Sequence, residues 1–442
     1  MTPVNPAYTV GEIRLQIKAS KASAVFTVPS KHSTVAASIV DNANVKLPII
    51  VIEDGTSTAT EGTIKFADLI KNDIKEFSKT GEKTGIDVED TFLLPYSSGT
   101  SGLPKGVELS HRNLVANMMQ LAAKGVIVAR ESTASHQEIV PAILPFYHIY
   151  GLVVILGLYL RLGGKLVCVP QFTADNFFKV LEDNRSTQLY VAPPLVQLLA
   201  NDERLKKRHV ETIKTVVSGA APIGEEVLAK FLNKTPPSLK MVQGYGLTEC
   251  APAISLAAVS PHTSSGQVLS NAEIRIVGHE TENLGNNLSV DEVGEIYVRG
   301  PQVMKGYYEN PEATANCMEG EWFKTGDLGC YDKSGFIYIR GRLKELIKVQ
   351  GFQVAPAEIE NLIQGYSKVA DVAVIGVPHE KYGEIPKAFV VPKKGAELEA
   401  NEIKKYVAER VVKYKQLGHV EFIDKIPKSA AGKILRRELE KM

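Results

Sequence analysis

Apolar and polar positions along this chain change period in blocks, and the first ninety residues set the pattern. Thr9-Val-Gly-Glu12 has the spacing of a capping box and predicts an amphipathic helix running to about Lys21. The run AVFTV (24–28) is short and β-branched, which predicts a strand; 34–42 reads as helix, and LPIIVI (47–52) as a second strand. Short apolar strands separated by helical stretches predict a parallel sheet covered on both faces. The alternation continues through strands at 91–94, 139–144, 165–169, 188–191 and 215–217, with a helix over about 112–124. The longest apolar stretch, 149–160, is interrupted by Gly151 and Gly157 and is too short to span a bilayer, so a buried core helix is expected there.

Near Asn271 the pattern changes. Residues 273–277, 294–299 and 336–340 read as strands divided by polar turns, which predicts a small antiparallel or barrel-like subdomain. From Pro356 the chain returns to mixed α/β: a helix through Ile363, strands at 369–377 and 388–391, and a helix near 401–412. The stretch RGRLK (340–344) lies between these halves. The expected division is therefore a large domain over 1–340, a hinge at 341–345 and a small domain over 346–442.

At 442 residues the chain exceeds one ordinary core, in keeping with that division. A hydrophobic fraction of 44% and a charged fraction of 23% fit a globular protein. With 51 basic and 50 acidic residues the net charge is +1, so no polyanion-wrapping surface and no nucleic-acid partner is expected. Cys168, Cys250, Cys317 and Cys330 form no CxxC pair, which predicts reduced thiols and a cytoplasmic location. The opening residues carry no apolar signal core, and the C-terminus is not an SKL-type peroxisomal address.

The densest candidate chemistry is the run YSSGTSGLPKG (96–106), expected between the strand at 91–94 and the helix at 112–124. Glycines let backbone approach a ligand, hydroxyls and N–H groups cradle phosphate oxygens, and Lys105 supplies charge. No Gly-Lys-Ser/Thr closes a GxxxxGK frame, so this is not a Walker A loop.

The same run resembles the signature of the adenylate-forming superfamily of acyl-CoA synthetases, 4-coumarate–CoA ligases, beetle luciferases and adenylation domains. The resemblance continues in order through LPFYHIYGL (144–152), SGAAP (218–222), QGYGLTE (243–249), WFKTGDLG (322–329), GRLKELIKVQGFQVAPAEIE (341–360) and PKSAAGKILRREL (427–439). Its wording is that of the 4-coumarate–CoA ligase and luciferase-like branch. The resemblance implies an α/β fold: a large N-terminal domain of layered mixed sheets with helices and a small β-barrel-like subdomain, followed by a small mobile α+β C-terminal domain. It implies an ATP-dependent acid–CoA ligase that uses a small carboxylic acid, ATP, CoA and Mg²⁺.

In that chemistry a carboxylate attacks the α-phosphorus of ATP and CoA then displaces AMP, so the site needs cations and preorganised donors more than a nucleophile. By resemblance, the loop Ser97, Ser98, Gly99, Thr100, Ser101, Gly102 and Lys105 grips the leaving pyrophosphate. Thr248 touches the α-phosphate and Glu249 binds Mg²⁺. Gly219, Ala220, Ala221 and Pro222, with Gln243, Gly244, Tyr245 and Gly246, form the adenine pocket, where Tyr245 offers a flat face. Asp327 accepts the ribose hydroxyls, and Arg342 makes a second ribose or phosphate contact. Lys433 bridges the substrate carboxylate and the α-phosphate. His148 closes the carboxylate pocket, which Ile149, Tyr150 and Ala220 help to line. Lys344 matches the hinge about which the C-terminal domain turns, withdrawing Lys433 and presenting Lys348 and Gln353 for thioester formation.

Gly341 stands where relatives usually carry Asp, and 264–269 (SSGQVL) is shorter than the family's glycine-rich turn. The chain opens at a point resembling NPxYTxxE, inside the family's first domain, which implies about a hundred residues preceding it in relatives. Two other functions fit parts of the pattern. One is an adenylation module loading a carrier protein; the other is a short relative that binds nucleotide without turnover.

Overall fold

The computed structural model describes residues 1–442 except 40–46, 54, 56–61, 72–84, 98–103, 128, 170–171, 222, 281, 351 and 430–431. The described residues divide into two compact units: Met1–Arg112 with Met304–Thr314, and Asn113–Val303 with Ala315–Met442.

In the first unit, helix α1 (Val10–Ser20) opens on the expected capping box: the Thr9 hydroxyl accepts from Glu12 N, and the Glu12 carboxylate accepts from Thr9 N at 2.7 Å. It ends with Lys21 in the left-handed conformation. Strands β1 (Val25–Thr27), β2 (Ile49–Val51) and β3 (Ile64–Lys65) pair in parallel in that order, and helix α2 (His32–Ile39) connects the first two. A second sheet contains β4 (Thr91–Leu93), β5 (Tyr96–Ser97), β6 (Lys105–Ser110) and the strand Gly306–Tyr307. Between the glycine-rich run and the expected helix near 112 the structure places a strand that the apolar pattern did not predict. Residues 98–103 link β5 to antiparallel β6, and helix α3 (His111–Leu121) begins only after it. The reason lies in the KGVELS sequence: its buried Val107 and Leu109 alternate with half-buried Glu108, a two-residue period that pairs with β4 and β5.

The second unit is built around β9 (Gln188–Val191), β10 (Thr215–Ser218) and β11 (Lys240–Gln243), all parallel, with β7 (Ile139–Ala142) and β8 (Lys165–Cys168) as a neighbouring parallel pair. Leu189, Val191, Val216 and Met241 face one core, filled by Phe177 and Leu181 of α4 (Ala174–Asn184), Leu199 of α5 (Pro193–Asn201) and Phe231 of α6 (Glu225–Leu232). The residues between them, Tyr190, Val217 and Val242, face a second core containing Ile155, Leu158 and Tyr159. Both faces are thus covered, and each such buried side chain contributes about 1.5–3 kcal/mol relative to exposure. The 149–160 stretch is helical and mostly buried, with π-type turns over Tyr150–Gly157 and an α-turn over Leu158–Arg161, and Leu160 is its exposed residue. Its Gly151 is obligatory in space, because a Cβ there would lie 2.3 Å from the Pro145 carbonyl oxygen.

The expected antiparallel region is a five-stranded sheet: β12 (Glu273–Val277), β13 (Gly294–Arg299), β14 (Trp322–Tyr331), β15 (Ile337–Arg342) and the short strand Met318–Glu319. After it come β16 (Ile347–Val349) and β17 (Phe352–Val354), α7 (Pro356–Gln364), β18 (Val369–His379), β19 (Gly383–Pro392), α8 (Ala400–Ala408), β20 (His419–Phe422) and α9 (Arg436–Leu439). Alternation along β18 sends Val372 and Val374 to a core with α7 and α8, and Ala373 and Ile375 to the opposite face, where Ile426 and Leu439 pack. The C-terminal segment is therefore anchored on the sheet at both ends of the stretch carrying Lys433.

Candidate active site

The turn Thr325-Gly-Asp327 interrupts β14 where its pairing with β13 shifts register between Glu295 and Tyr297. Gly326 adopts φ +71°, a conformation that suits glycine, and its N–H donates to the Glu295 carboxylate at 3.0 Å. The Thr325 hydroxyl donates to Ile296 O at 2.7 Å and accepts from Asp327 N at 3.0 Å. This bulge aims Asp327 inward, where it is only 4% exposed.

Two partners hold it. Asp327 and Arg342 are register partners across β14 and β15, and Arg342 Nε lies 2.9 Å from Asp327 Oδ1. The Tyr245 hydroxyl donates to Asp327 Oδ2 at 2.8 Å. Burial raises the Asp327 carboxyl above its ordinary value, against the pull of the Arg342 cation. Burial, with Asp327 close by, also pushes the Tyr245 hydroxyl well up, so it stays a donor.

Lys433 reaches the same place from the C-terminal segment. Lys428 and Ile434 form a β-bridge at the base of its loop. Within the loop, Gly432 N donates to Ser429 O and Ser429 N to Lys433 O, both at 2.8 Å, and Lys433 N to the Ser429 hydroxyl at 3.2 Å. Gly432 takes φ +81°, and a Cβ there would meet Pro194 Cδ at 2.9 Å, so the loop lies directly against the start of α5. The Lys433 amine is pushed down to about 8 by burial and by the Arg342 cation, against the opposing pull of Glu345, Asp327 and Glu249.

These groups line one cavity of about 810 Å³, together with Ala220, Ala221, Gln243, Gly244 and Gly246. Gln243 braces the adjoining loops, accepting from Ile223 N at 3.2 Å and donating to His262 O at 2.6 Å. Gly219 backs onto the Tyr150 ring: a Cβ there would lie 3.3 Å from it. The Tyr150 hydroxyl donates to Val217 O at 3.2 Å.

Glu249 is 8% exposed on the single helical turn Thr248–Cys250, and its charge acts on Lys433 and Arg342. Thr248 opens that turn, half-buried. His148 Nδ1 accepts from Tyr150 N at 3.3 Å, and burial lowers its basicity, so the ring is neutral at physiological pH. Lys348 and Gln353 do not line the cavity. They are register partners on the β16–β17 hairpin, with Lys348 exposed and Gln353 Oε1 buried without a hydrogen-bond partner. Ser97 and Lys105 pair across β5 and β6, and Lys105 Nζ lies 4.9 Å from the Tyr307 ring centroid. Ser98, Gly99, Thr100, Ser101, Gly102 and Pro222 lie outside the described residues.

The model of the AMP-binding enzyme family matches residues 1–308, and that of the AMP-binding enzyme C-terminal domain matches residues 358–433. The chain belongs to the AMP-binding enzyme family. Within it the chain stands with the adenylate-forming CoA ligases. It is 38% identical over 448 residues to 4-coumarate–CoA ligase 1 of Arabidopsis thaliana, covering 99% of this chain and 78% of the relative. To 4-coumarate–CoA ligase 1 of Oryza sativa subsp. japonica it is 38% identical over 455 residues, covering 100% and 78%. Among solved structures it resembles ATP-bound MatB from Rhodopseudomonas palustris, with a TM-score of 0.84 at 27% identity, covering 100% of this chain and 83% of that one. The apo form of MatB gives a TM-score of 0.71 at 28% identity, with the same coverage.

Sequence reading of this AMP-binding enzyme did not single out Gln197, Glu345, Lys428 or Arg436, which also line the cavity. The Gln197 amide donates to Ala370 O, and Lys428 pairs with Asp371 at 2.6 Å. Glu345, Lys428 and Arg436 lie inside quoted motifs, but their partners are distant in sequence. Among the described residues no helix is long and apolar enough to cross a membrane.

Proposed function

We propose that this protein activates a hydroxycinnamate-type aromatic acid with ATP and transfers the acyl group to CoA, with the cavity around Asp327, Arg342, Tyr245 and Lys433 as its adenylation site. The observation that carries this reading is the convergence in one cavity of a buried carboxylate, a guanidinium, an aromatic ring and an amine drawn from four separate segments. The aromatic acid class rests on the 38% identity to 4-coumarate–CoA ligases over 99–100% of the chain.

An ionised carboxylate has about four acceptor positions. Arg342 and Tyr245 occupy one on each oxygen of Asp327, leaving the outer pair for two ribose hydroxyls. The Tyr245 ring offers its face to adenine beside the Ala220 and Gly244 backbone. In the first step a substrate carboxylate oxygen attacks the α-phosphorus and the bond to pyrophosphate breaks. Lys433, as ammonium, offsets the charge gathering between the two anions, and Arg342 adds a second fixed cation. In the second step the CoA thiolate attacks the acyl carbon and the mixed-anhydride bond between acyl carbon and phosphate oxygen breaks, releasing AMP. The exposed Lys348 and its partner Gln353 are assigned to that step, after the C-terminal segment turns about Lys344.

His148, neutral and held by Tyr150 N, would close the carboxylate pocket, and Thr248 would touch the α-phosphate. Magnesium is commonly held by one or two carboxylates together with water and substrate phosphates. Glu249 would give Mg²⁺ one such hard oxygen, and the ion would neutralise phosphate charge. The four free cysteines support a reducing, cytoplasmic setting.

The test is thioester formation from a panel of cinnamates, benzoates and fatty acids, with ATP, CoA and magnesium, followed by mass spectrometry. Preferential conversion of 4-coumarate or a close hydroxycinnamate is expected. Preference for aliphatic acids would overturn the substrate class, and adenylate without thioester would overturn the ligase reading.

A further inference from the structure

Arg436 sits three residues after Lys433 and is nearly buried, yet it takes no direct part in the chemistry just described. Its guanidinium is enclosed by two carboxylates and a carbonyl. Nε lies 2.9 Å from Glu345 Oε2, Nη2 lies 3.2 Å from Glu360 Oε2, Nη1 pairs with Glu360 Oε1, and Nη1 donates to Val374 O at 2.9 Å. Glu360 is itself fixed, accepting from Val374 N at 2.7 Å. The side chains of Arg436, Glu345 and Glu360 are 14%, 21% and 12% exposed. A planar guanidinium with four of its five N–H donors engaged in this way has little freedom to change its direction.

The three elements that meet here matter for Lys433. Glu345 ends the turn Leu343–Glu345, immediately after the hinge arginine, and its charge also acts on Lys433 and Arg342. Glu360 belongs to α7 and Val374 to β18. On the other side of the lysine, Lys428 is tied to Asp371 near the start of β18. The loop is therefore fastened on both sides, and between the fastenings it turns through Gly432 against Pro194.

We propose that Arg436 is a positioning residue for adenylate formation: held between Glu345 and Glu360, it fixes the foot of the Lys433 loop and couples that loop to the hinge segment. The inference rests on the assignment of Lys433 to the first half-reaction. Displacing a reacting group by about 1 Å costs roughly a hundredfold in rate. Releasing the foot of the loop is expected to act in that way, without removing any group that touches nucleotide.

The experiment measures both half-reactions with 4-coumarate as the acid and 4-coumaroyl-adenylate as the supplied intermediate. Arg436→Gln is expected to lower ATP–pyrophosphate exchange by about ten- to a hundredfold through kcat, with KM for ATP little changed. Thioester formation from supplied adenylate should stay within about twofold, because Lys433 is withdrawn in that step. Arg436→Lys keeps the charge but loses the fork, and should recover only part of the exchange rate. Glu345→Gln leaves the Arg436–Glu360 pair in place and carries the test should Arg436→Gln melt below assay temperature; a selective loss of exchange is expected there too. Equal loss in both half-reactions, or full exchange activity in both variants, would overturn the inference. Lys433→Ala, run alongside, separates the two failures. If it leaves exchange intact, the assignment of Lys433 is wrong; if it abolishes exchange while the Arg436 and Glu345 variants do not, only the positioning role is wrong.

Discussion

Asp327 and Arg342 face each other across adjacent strands, and their side chains meet at 2.9 Å with the carboxylate almost fully buried. The bond is a consequence of register. The bulge at Gly326 shifts the alternation of β14 so that Asp327 turns inward, opposite the last residue of β15. Strand β15, which ends at Arg342, is thus tied to the residue assigned to ribose.

Asp327→Asn should weaken ATP binding and destabilise the fold, because it leaves the Arg342 cation mostly buried without its counter-charge. Breaking one partner of a buried pair costs about 3 kcal/mol. Thermal melting with and without ATP checks both effects: a lowered melting point and a reduced ATP-induced upward shift are expected.

Lys433 gives the first half-reaction a pH dependence. The amine lies at about 8 rather than 10.5, and the cationic form is the one required. The adenylation kcat/KM for ATP should therefore fall as pH rises through about 8, since this parameter reports the free enzyme. For stability the sign is opposite. Between about 8 and 10.5 the unfolded chain holds a proton that the folded chain does not, so this group opposes folding below 8 and ceases to do so as pH rises through that window. Lys433→Arg should remove the alkaline limb from whatever adenylation activity it retains, because guanidinium stays charged throughout.

Much of this architecture is legible in the sequence, for identifiable reasons. The capping box of α1 is local chemistry, and the strands at 188–191, 273–277 and 294–299 are bounded as the apolar pattern predicts. Strand β6 is missed because Lys105 and Gly106 read as loop, while its alternation is only six residues long. Asp327, Arg342 and Lys433 are legible through motif resemblance, but their meeting depends on a bulge and on a loop crossing from distant sequence. Arg436 lies inside a matched motif, but nothing local marks its partners, carboxylates 76 and 91 residues away.

Gly432→Ala tests the loop's path. The left-handed φ and the 2.9 Å approach to Pro194 leave no place for a methyl group, so the loop must shift. Adenylation is expected to drop by about tenfold or more while thioester formation from supplied adenylate is spared. Half-reaction assays on a variant whose melting point is within a few degrees of the parent check this.

Gly341 stands at φ +155°, in a region that side chains rarely adopt, although a Cβ would make only ordinary contact with Ala355 at 3.5 Å. Gly341→Asp should therefore destabilise this arrangement by about 1 kcal/mol through backbone conformation rather than crowding. Chemical denaturation measures it, and an unchanged midpoint would show that the strand end relaxes.

On the proposed assignment, Lys433 serves one half-reaction and not the other. The most direct measurement compares Lys433→Ala with the parent in 4-coumarate-dependent ATP–pyrophosphate exchange and in thioester formation from 4-coumaroyl-adenylate. Loss of exchange by more than about a hundredfold with thioester formation retained is the predicted result. Loss of both to the same extent, or of neither, would contradict it.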